Sequence, residues 1–118
     1  MAGRSKDMII RGGENIQPTE IENFISTLPS VQDCYVIGVP SRRLGEEVAA
    51  YIQLKENENV TSDDIVEQCR KGLARFKVPK YIKFTQIWPT TVTGKIKKFI
   101  LREQALHDFP TLKDEIEG

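Results

Sequence analysis

Two runs of strand-forming residues, at positions 31–39 and 47–54, constrain the fold of this chain more than any other feature. The first run, VQDCYVIGV, is rich in β-branched residues and predicts a strand that is buried on both faces. The second run, EVAAYIQL, predicts another long strand, and the charged segment PSRRLGE at 40–46 predicts the loop between them. A sheet built around these two strands is therefore the expected centre of the fold.

Three segments carry helix signals. Pro18 suits the first position of a helix, and Pro29 ends that helix. Thr61 and Asp64 have the spacing of a capping box, which predicts the start of a second helix, and residues 96–106 predict a third. The residues expected to face the core from these helices are Ile21, Phe24, Ile25 and Leu28, then Ile65, Val66, Cys69 and Leu73, and finally Ile96, Phe99, Ile100 and Leu106.

A short hairpin is predicted before the first helix. Residues 8–11 form a β-prone run, GGEN at 12–15 predicts a tight turn, and residues 16–17 predict a brief return strand. Residues 81–87 predict a third strand of the sheet. The fold is therefore predicted to be α+β: a small mixed three-stranded sheet with about three helices packed on it, preceded by a short N-terminal β-hairpin.

The length and the charge balance exclude several classes of protein. With 118 residues, of which 39% are hydrophobic, the chain is expected to form one small domain and not a disordered tail. Its 17 Lys and Arg residues balance 17 Asp and Glu residues, so a chain-wide basic field for nucleic acid is absent. No apolar run approaches the roughly 20 residues of a membrane span, and the N-terminus lacks the apolar region of a signal peptide. These features predict a soluble, cytoplasmic protein without a membrane span.

Cysteine and histidine usage predicts no metal site. Cys34 and Cys69 lie far apart in the sequence, belong to no ligand-spaced cluster, and fall on apolar positions of predicted elements. Two buried free thiols in a reducing compartment are therefore expected, in preference to a disulfide or a metal site. The single histidine, His107, has no Cys or His neighbour, which argues against zinc.

A cluster of lysines marks the start of the last predicted helix. Lys95 follows Gly94, and Lys97 and Lys98 lie in the same first turn. Cations at an exposed helix N-terminus cost roughly 0.3–1 kcal/mol each, and broken local rules often mark functional positions. Because the N–H groups at that end favour an anion, the cluster is a candidate site for a phosphate or a carboxylate. On charge alone, a solvated lysine patch is favoured over a binding site.

Two longer motifs connect this cluster to a known family. The segments GRSKDMIIRGGENIQPTEIE at 3–22 and PTTVTGKIKK at 89–98 together resemble the C-terminal lid domain of acyl-adenylate-forming enzymes, most closely of acyl-CoA synthetases. The resemblance covers nearly the whole chain. GENI next to PTEIE, with the later GKI, favours the medium- and long-chain fatty-acid–CoA ligases. The implied organisation is a hinge segment at 1–7, the lid domain at 8–107 and a polar tail at 108–118.

The resemblance implies a reaction and a catalytic lysine. In the family, a P-x-x-x-x-G-K segment carries the lysine that bridges the substrate carboxylate and the α-phosphate of ATP, and Pro89 to Lys95 match this segment. An acid that attacks a phosphate brings two anions together, and a cation between them offsets the repulsion. The implied reaction converts a carboxylic or fatty acid, ATP and CoA to acyl-CoA, AMP and pyrophosphate.

Two residues near the N-terminus match positions that act when the lid moves. Lys6 matches the hinge position between the two domains of the family, and hinge residues absorb large changes of backbone dihedrals. Arg4 matches a position that contacts the ribose or the phosphates of ATP. Without the motif, both residues would be interpreted as an exposed charged tail.

Two further segments match the parts of the family that bind CoA. Gly12 and Gly13 match the hairpin that lines the pantetheine tunnel, where the missing side chain of Gly13 leaves room for the CoA arm. A turn glycine with positive φ would explain Gly13 as well, and both interpretations can hold together. Phe76 matches a residue that stacks on adenine, and Lys80 matches one that faces the ribose 3′-phosphate. A core position for Phe76 is equally supported by the usual burial of aromatic residues.

The resemblance also implies a partner domain. The phosphate loop, the adenine pocket, the acyl pocket and the magnesium-binding glutamate of the family belong to a large N-terminal adenylating domain, and none of them is found in this sequence. The metal of Mg-ATP would therefore be held by that domain. The isolated chain is expected to be inactive.

Two other functions stay open at this point. A free-standing non-catalytic interaction module, or a split subunit that works only with a separate adenylating domain, would dock through residues 8–16, and an exposed apolar patch there would favour it. Nucleic-acid binding would require stacking aromatics among the basic residues, and only Phe76 and Tyr81 are candidates. Those basic residues are Arg70, Lys71, Arg75, Lys77, Lys80, Lys83, Lys95, Lys97 and Lys98.

Overall fold

The two long strands predicted from the sequence form the centre of a five-stranded sheet. The structure, a computed structural model, describes residues 8–86, 88 and 98–109, apart from the side chain of Phe99. The elements in chain order are β1 Ile9–Arg11, β2 Glu14–Ile16, α1 Pro18–Ser26, β3 Val31–Ser41, β4 Gly45–Leu54, α2 Ser62–Gly72, a 3-10 turn Arg75–Lys77, β5 Tyr81–Phe84 and α3 Lys98–Asp108. The predicted α+β class is confirmed.

The sheet is mixed, and the N-terminal hairpin is part of it. Strands β3 and β4 pair antiparallel from Ser41 and Gly45 at one end to Val31 and Leu54 at the other. The other edge of β4 is shared by β5, which runs parallel to it, and by β1, which pairs at Arg11 and Gly45. The hairpin therefore adds two strands to the predicted three. Both central strands are also longer than predicted, which shortens the loop between them to residues 42–44.

Strand β4 is buried on both faces because helices cover both sides of the sheet. Its residues Val48, Ala50 and Ile52 face one core, and Ala49 and Tyr51 face the other. Helices α1 and α2 cover the first core, and α3 covers the second. The buried side chains of strand β3 are also shared between the two cores, which confirms the prediction that this strand is buried on both faces.

The start and the end of α2 follow from identifiable local chemistry. The Oγ1 atom of Thr61 accepts a hydrogen bond from the Asp64 N–H at 3.2 Å, and Oδ2 of Asp64 accepts one from the Thr61 N–H at 3.0 Å. The predicted capping box is therefore confirmed. At the other end, a Cβ atom on Gly72 would lie 2.1 Å from Cε1 of Phe24. A glycine at this position lets α1 and α2 pack closely.

The inward face of α3 differs from the prediction. Of the residues expected inside, Leu106 is partly buried and packs against the second core, and Ile100 is partly buried, whereas Leu101 and Ala105 are fully buried. Leu101 and Ala105 are four residues apart, so they lie on the same face of α3, and they belong to the same core as Ala49. The expected inward positions Ile96 and the Phe99 side chain lie outside the described residues.

Both cysteines are free and buried, as predicted. Burial raises the pKa of the Cys69 thiol to about 11, and burial together with the nearby Glu22 carboxylate raises the pKa of Cys34 further still. Both thiols are therefore protonated at neutral pH and lack the thiolate that nucleophilic chemistry requires. In the described part of the chain, no helix has the length and apolar character needed to cross a membrane.

Candidate functional site

The turn of the N-terminal hairpin consists of two glycines in the left-handed backbone region. Gly12 has φ of +56° and Gly13 has φ of +90°. The Gly12 N–H donates to the Leu44 carbonyl at 2.8 Å, and a Cβ on Gly12 would lie 3.1 Å from the Leu44 side chain. A Cβ on Gly13 would meet none of the described atoms within 4 Å. Gly12 thus permits a close approach within the fold, whereas Gly13 faces open space.

Two carboxylates at the start of β4 hold strand β1 in place. Nε of Arg11 donates to Oε1 of Glu47 at 2.6 Å, and the Glu47 side chain is only 4% exposed. Oε1 of Glu46 accepts the Ile10 N–H at 2.8 Å. Sequence reasoning did not identify these acids as site residues. The sequence signal that could have identified them is the pair of adjacent acids at the start of a strand. Because successive side chains of a strand point to opposite faces, one of two adjacent acids points inward.

A cavity of about 480 Å³ opens beside this ion pair. Its lining consists of Arg11, Ser41, Arg43, Leu44, Glu47 and Lys80. The backbone N–H of Lys80 donates to the Val48 carbonyl at 3.0 Å, which brings the connector after α2 against the start of β4. The structure therefore places the predicted CoA residue Lys80 beside the strand that leads into the Gly12–Gly13 turn.

Phe76, the other predicted residue of this connector, does not line the cavity. Its ring is partly buried and packs against the core beneath α1 and α2, as the alternative interpretation of this residue expected. The Nζ atom of Lys77 lies 5.5 Å from the centroid of that ring and pairs with Oε1 of Glu20 at 2.7 Å. Stacking of Phe76 on adenine stays a prediction.

A second ion pair joins the start of α3 to α1. Nζ of Lys98 lies 2.7 Å from Oε2 of Glu22, and their side chains are 15% and 14% exposed. The same Glu22 oxygen accepts the Val36 N–H at 2.7 Å. One lysine of the predicted cluster thus has a structural role. The predicted catalytic residue Lys95, the hinge residue Lys6 and the nucleotide-binding residue Arg4 lie outside the described residues.

The described side chains of this region offer charged groups and no metal-ligating cluster. Across the described ranges, no group of three or more His, Cys, Asp or Glu residues could hold a metal ion. The O–H of Tyr51 donates to Oδ2 of Asp108 at 2.7 Å, and burial together with this hydrogen bond raises the pKa of Tyr51 well above its usual value. Tyr51 therefore stays protonated and structural. The chemical features of the site are the positively charged side chains that line the cavity and the nearby Gly12–Gly13 turn.

The observations give little support to the other two functions considered above. Ile9 and Ile16 of the hairpin are fully buried, and Ile10, at 39%, is the exposed large hydrophobic residue that the described part of the chain contains. A large apolar docking patch on the described residues 8–16 is therefore absent. Three of the basic residues considered for nucleic acid pair with carboxylates: Arg70 with Glu67, Lys77 with Glu20, and Lys98 with Glu22.

Comparisons with known proteins agree on one family. The sequence model for the AMP-binding enzyme C-terminal domain matches residues 20–95. The chain is 54% identical over 104 residues to the mitochondrial medium-chain acyl-CoA ligase ACSF2 of Bos taurus, covering 88% of this chain and 17% of that protein. It is 48% identical over 109 residues to the putative acyl-CoA synthetase YngI of Bacillus subtilis (strain 168), covering 92% and 20%.

Solved structures give the same result. A fatty acyl CoA synthetase of Mycobacterium tuberculosis superposes with a TM-score of 0.80 at 47% identity, covering 87% of this chain and 20% of that one. ATP-bound MatB from Rhodopseudomonas palustris superposes with a TM-score of 0.83 at 36% identity, covering 87% and 20%. The chain therefore spans about a fifth of the length of the proteins that it matches.

Proposed function

Because this chain belongs to the AMP-binding enzyme C-terminal domain family, we propose that it is the mobile lid of an acyl-CoA synthetase. The synthetase would join a carboxylic acid to CoA at the expense of ATP, and would release AMP and pyrophosphate. The printed names of the relatives include a medium-chain ligase and a fatty acyl CoA synthetase, so a medium- or long-chain fatty acid is the proposed substrate. The partner is the N-terminal adenylating domain, which would hold Mg-ATP.

In the first half-reaction, Lys95 is the residue proposed to carry the chemistry. The carboxylate oxygen of the acid attacks the α-phosphorus of ATP, and the bond to pyrophosphate breaks. Two anions must approach each other in this step, so a lysine ammonium group between them stabilises the charge that builds up in the transition state. Arg4 would contact the ribose or the phosphates of the nucleotide.

In the second half-reaction, the lid would turn about Lys6 and present the hairpin. The CoA thiolate attacks the acyl carbon of the adenylate, and AMP leaves. One observation supports this role more than any other: Gly13 has positive φ and open space in front of it, and Arg11, two residues before it, lines the same cavity as Lys80. A thin, anion-bearing chain such as phosphopantetheine would fit an open glycine turn beside such a cavity.

We expect Gly13→Ala in the intact synthetase to impair the use of CoA selectively. The added methyl group would point into the space proposed for the CoA arm, and one methyl in a binding channel changes discrimination by about tenfold or more. The KM for CoA should rise by that factor, whereas acyl-adenylate formation, followed as ATP–pyrophosphate exchange, should be unchanged. The positive φ adds a stability cost of about 1–2 kcal/mol.

Gly45→Ala is the matched control for this variant. Gly45 also has positive φ, at +85°, and its added Cβ would meet only the Ile10 carbonyl at 3.7 Å. It should therefore carry a similar backbone strain without changing the KM for CoA. An equal loss of CoA affinity in both variants would show that strain is the cause and would contradict the tunnel. An unmodified enzyme that forms no acyl-CoA from any fatty acid would contradict the proposed function itself.

The cellular compartment is also part of the proposal. Two buried free thiols are typical of proteins in reducing compartments, of which the cytoplasm is the proposed one. The ACSF2 relatives carry the word mitochondrial in their names. Imaging of the tagged full-length synthetase in its source cells would distinguish these two compartments.

A further inference from the structure

Glu22 lies at the outer edge of the sheet, where it connects three elements of the fold. The strand order places β3 at one end, so one edge of β3 has no strand beside it in the described part of the chain. Oε2 of Glu22, on α1, accepts the Val36 N–H of that edge at 2.7 Å and lies 2.7 Å from Nζ of Lys98, the first residue of α3. Because α1 and α3 cover opposite faces of the sheet, this carboxylate links the two helices around the edge of β3.

The ion pair between Glu22 and Lys98 is shielded from solvent and offsets an unfavourable charge. Their side chains are 14% and 15% exposed, whereas Glu20 of the same helix, which pairs with Lys77, is 48% exposed. A cation at the N-terminus of a helix is unfavourable because the helix dipole is positive there. The Lys98 ammonium group therefore depends on the Glu22 carboxylate, and without that partner the lysine would turn toward solvent.

Trp88 provides a second attachment close to the first. Its Nε1–H donates to Oε1 of Gln53 at 2.8 Å, and its ring meets the Tyr35 ring edge-on, with centroids 5.1 Å apart and planes at 71°. In the sequence, Trp88 directly precedes the P-x-x-x-x-G-K segment, and Lys98 follows the lysine of that segment by three residues. The two flanks of the segment are therefore attached beside the adjacent residues Tyr35 and Val36 of β3, one directly and the other through a carboxylate.

We propose that Glu22 is a positioning residue for the adenylation step. Through Lys98, it would hold the start of α3 in the place from which Lys95 acts on the carboxylate and the α-phosphate. The inference rests on the proposed function for the role of Lys95. Glu22 would touch neither substrate: it fixes one flank of the segment, and Trp88 fixes the other. Such fixing matters because a misplacement of about 1 Å can cost about a hundredfold in rate.

Replacing Glu22 with glutamine in the intact synthetase should slow acyl-adenylate formation by about ten- to a hundredfold. Thioester formation from preformed acyl-adenylate should be unchanged. The amide oxygen can still accept the Val36 N–H, but the charge that holds Lys98 is lost. Lys98→Met should give the same loss, and Lys98→Arg, which keeps the pair, should give little. Because both residues act through one contact, Glu22→Gln/Lys98→Met should be no slower than either single variant.

Glu20→Gln is the matched control for Glu22→Gln. It removes a carboxylate of the same helix that also pairs with a lysine at 2.7 Å, but that lysine, Lys77, belongs to the 3-10 turn and not to α3. Adenylation should continue at the unmodified rate in this control. Equal slowing in the two variants, equal slowing of both half-reactions in Glu22→Gln, or a double variant slower than both singles would overturn the positioning role. A normal adenylation rate in Glu22→Gln would overturn it as well.

A measurement that does not depend on catalysis tests the attachment itself. Amide hydrogen exchange in the intact synthetase would follow residues 102–105, whose N–H groups have partners within α3. Exchange should be faster in Glu22→Gln than in Glu20→Gln, and equal exchange would contradict the attachment whether or not the synthetase is active. An unmodified enzyme that forms no acyl-adenylate would contradict the proposed function and the positioning role together. An active enzyme with an unaffected Glu22→Gln variant would contradict the positioning role alone.

Discussion

Replacing Lys95 with alanine in the intact synthetase should slow acyl-adenylate formation by about a hundredfold or more, the usual effect of removing one group that stabilises transition-state charge. Conversion of preformed acyl-adenylate and CoA to acyl-CoA should continue at close to the unmodified rate. The physical reason is that, in the proposed mechanism, the lysine acts only while two anions approach each other. The two half-reactions would be measured separately, by ATP–pyrophosphate exchange and by single-turnover thioester formation.

Lys97→Ala is the control for this variant. It removes the same charge two residues away, so a general effect of the local positive field would slow adenylation in both variants to the same extent. Lys95→Ala alone should show the large loss. If it slowed both half-reactions equally, the assignment of Lys95 to the adenylation step would be wrong.

Replacing Arg11 with methionine should lower the free energy of unfolding of this chain by about 3 kcal/mol, because it leaves the Glu47 carboxylate buried without its partner. The Glu47 side chain is 4% exposed, and the Arg11 side chain is 28% exposed, so the pair is largely shielded from solvent. Urea unfolding followed by circular dichroism would measure the change. The double variant Arg11→Met/Glu47→Leu should recover much of the lost stability, since no charge is then left unpaired.

The chain provides a surface pair for comparison. Arg70 and Glu67 lie 3.7 Å apart with side chains that are 68% and 58% exposed. Arg70→Met should therefore change the free energy of unfolding by less than about 1 kcal/mol, the range of exposed ion pairs. An Arg11→Met variant as stable as Arg70→Met would contradict the importance of the buried pair for holding the hairpin on the sheet.

Sequence reasoning could predict the features that local chemistry determines. The runs that became β3 and β4, and the Thr61–Asp64 capping box, are signalled by residues next to one another in the chain. The pairing of Arg11 with Gly45 is not signalled by neighbouring residues, because it depends on where the β3–β4 turn ends. The hairpin was therefore predicted as a separate element, although it is part of the sheet.

Contacts between residues that are distant in sequence also determine which side chains form the core and the site. Ile100 and Leu106 were expected to face inward from α3 on their apolar character, but both are only partly buried, and the fully buried pair is Leu101 and Ala105, in the core that also contains Ala49. The gathering of Arg11, Arg43 and Lys80 around one cavity involves residues that are distant in sequence. Lysine and arginine spacing alone does not signal such a cluster, whereas the motif around Lys95 is contiguous and could be recognised.

The most direct test of the central claim is deletion of this chain from the proposed synthetase. Acyl-CoA formation from a medium-chain acid, ATP and CoA would be measured for the intact enzyme, the deletion variant and the isolated chain. We expect full activity only in the intact enzyme, with AMP and pyrophosphate released in equal amounts, and none in the isolated chain. Full acyl-CoA formation without the chain, or Lys95-dependent pyrophosphate release by the chain alone, would contradict its role as a lid.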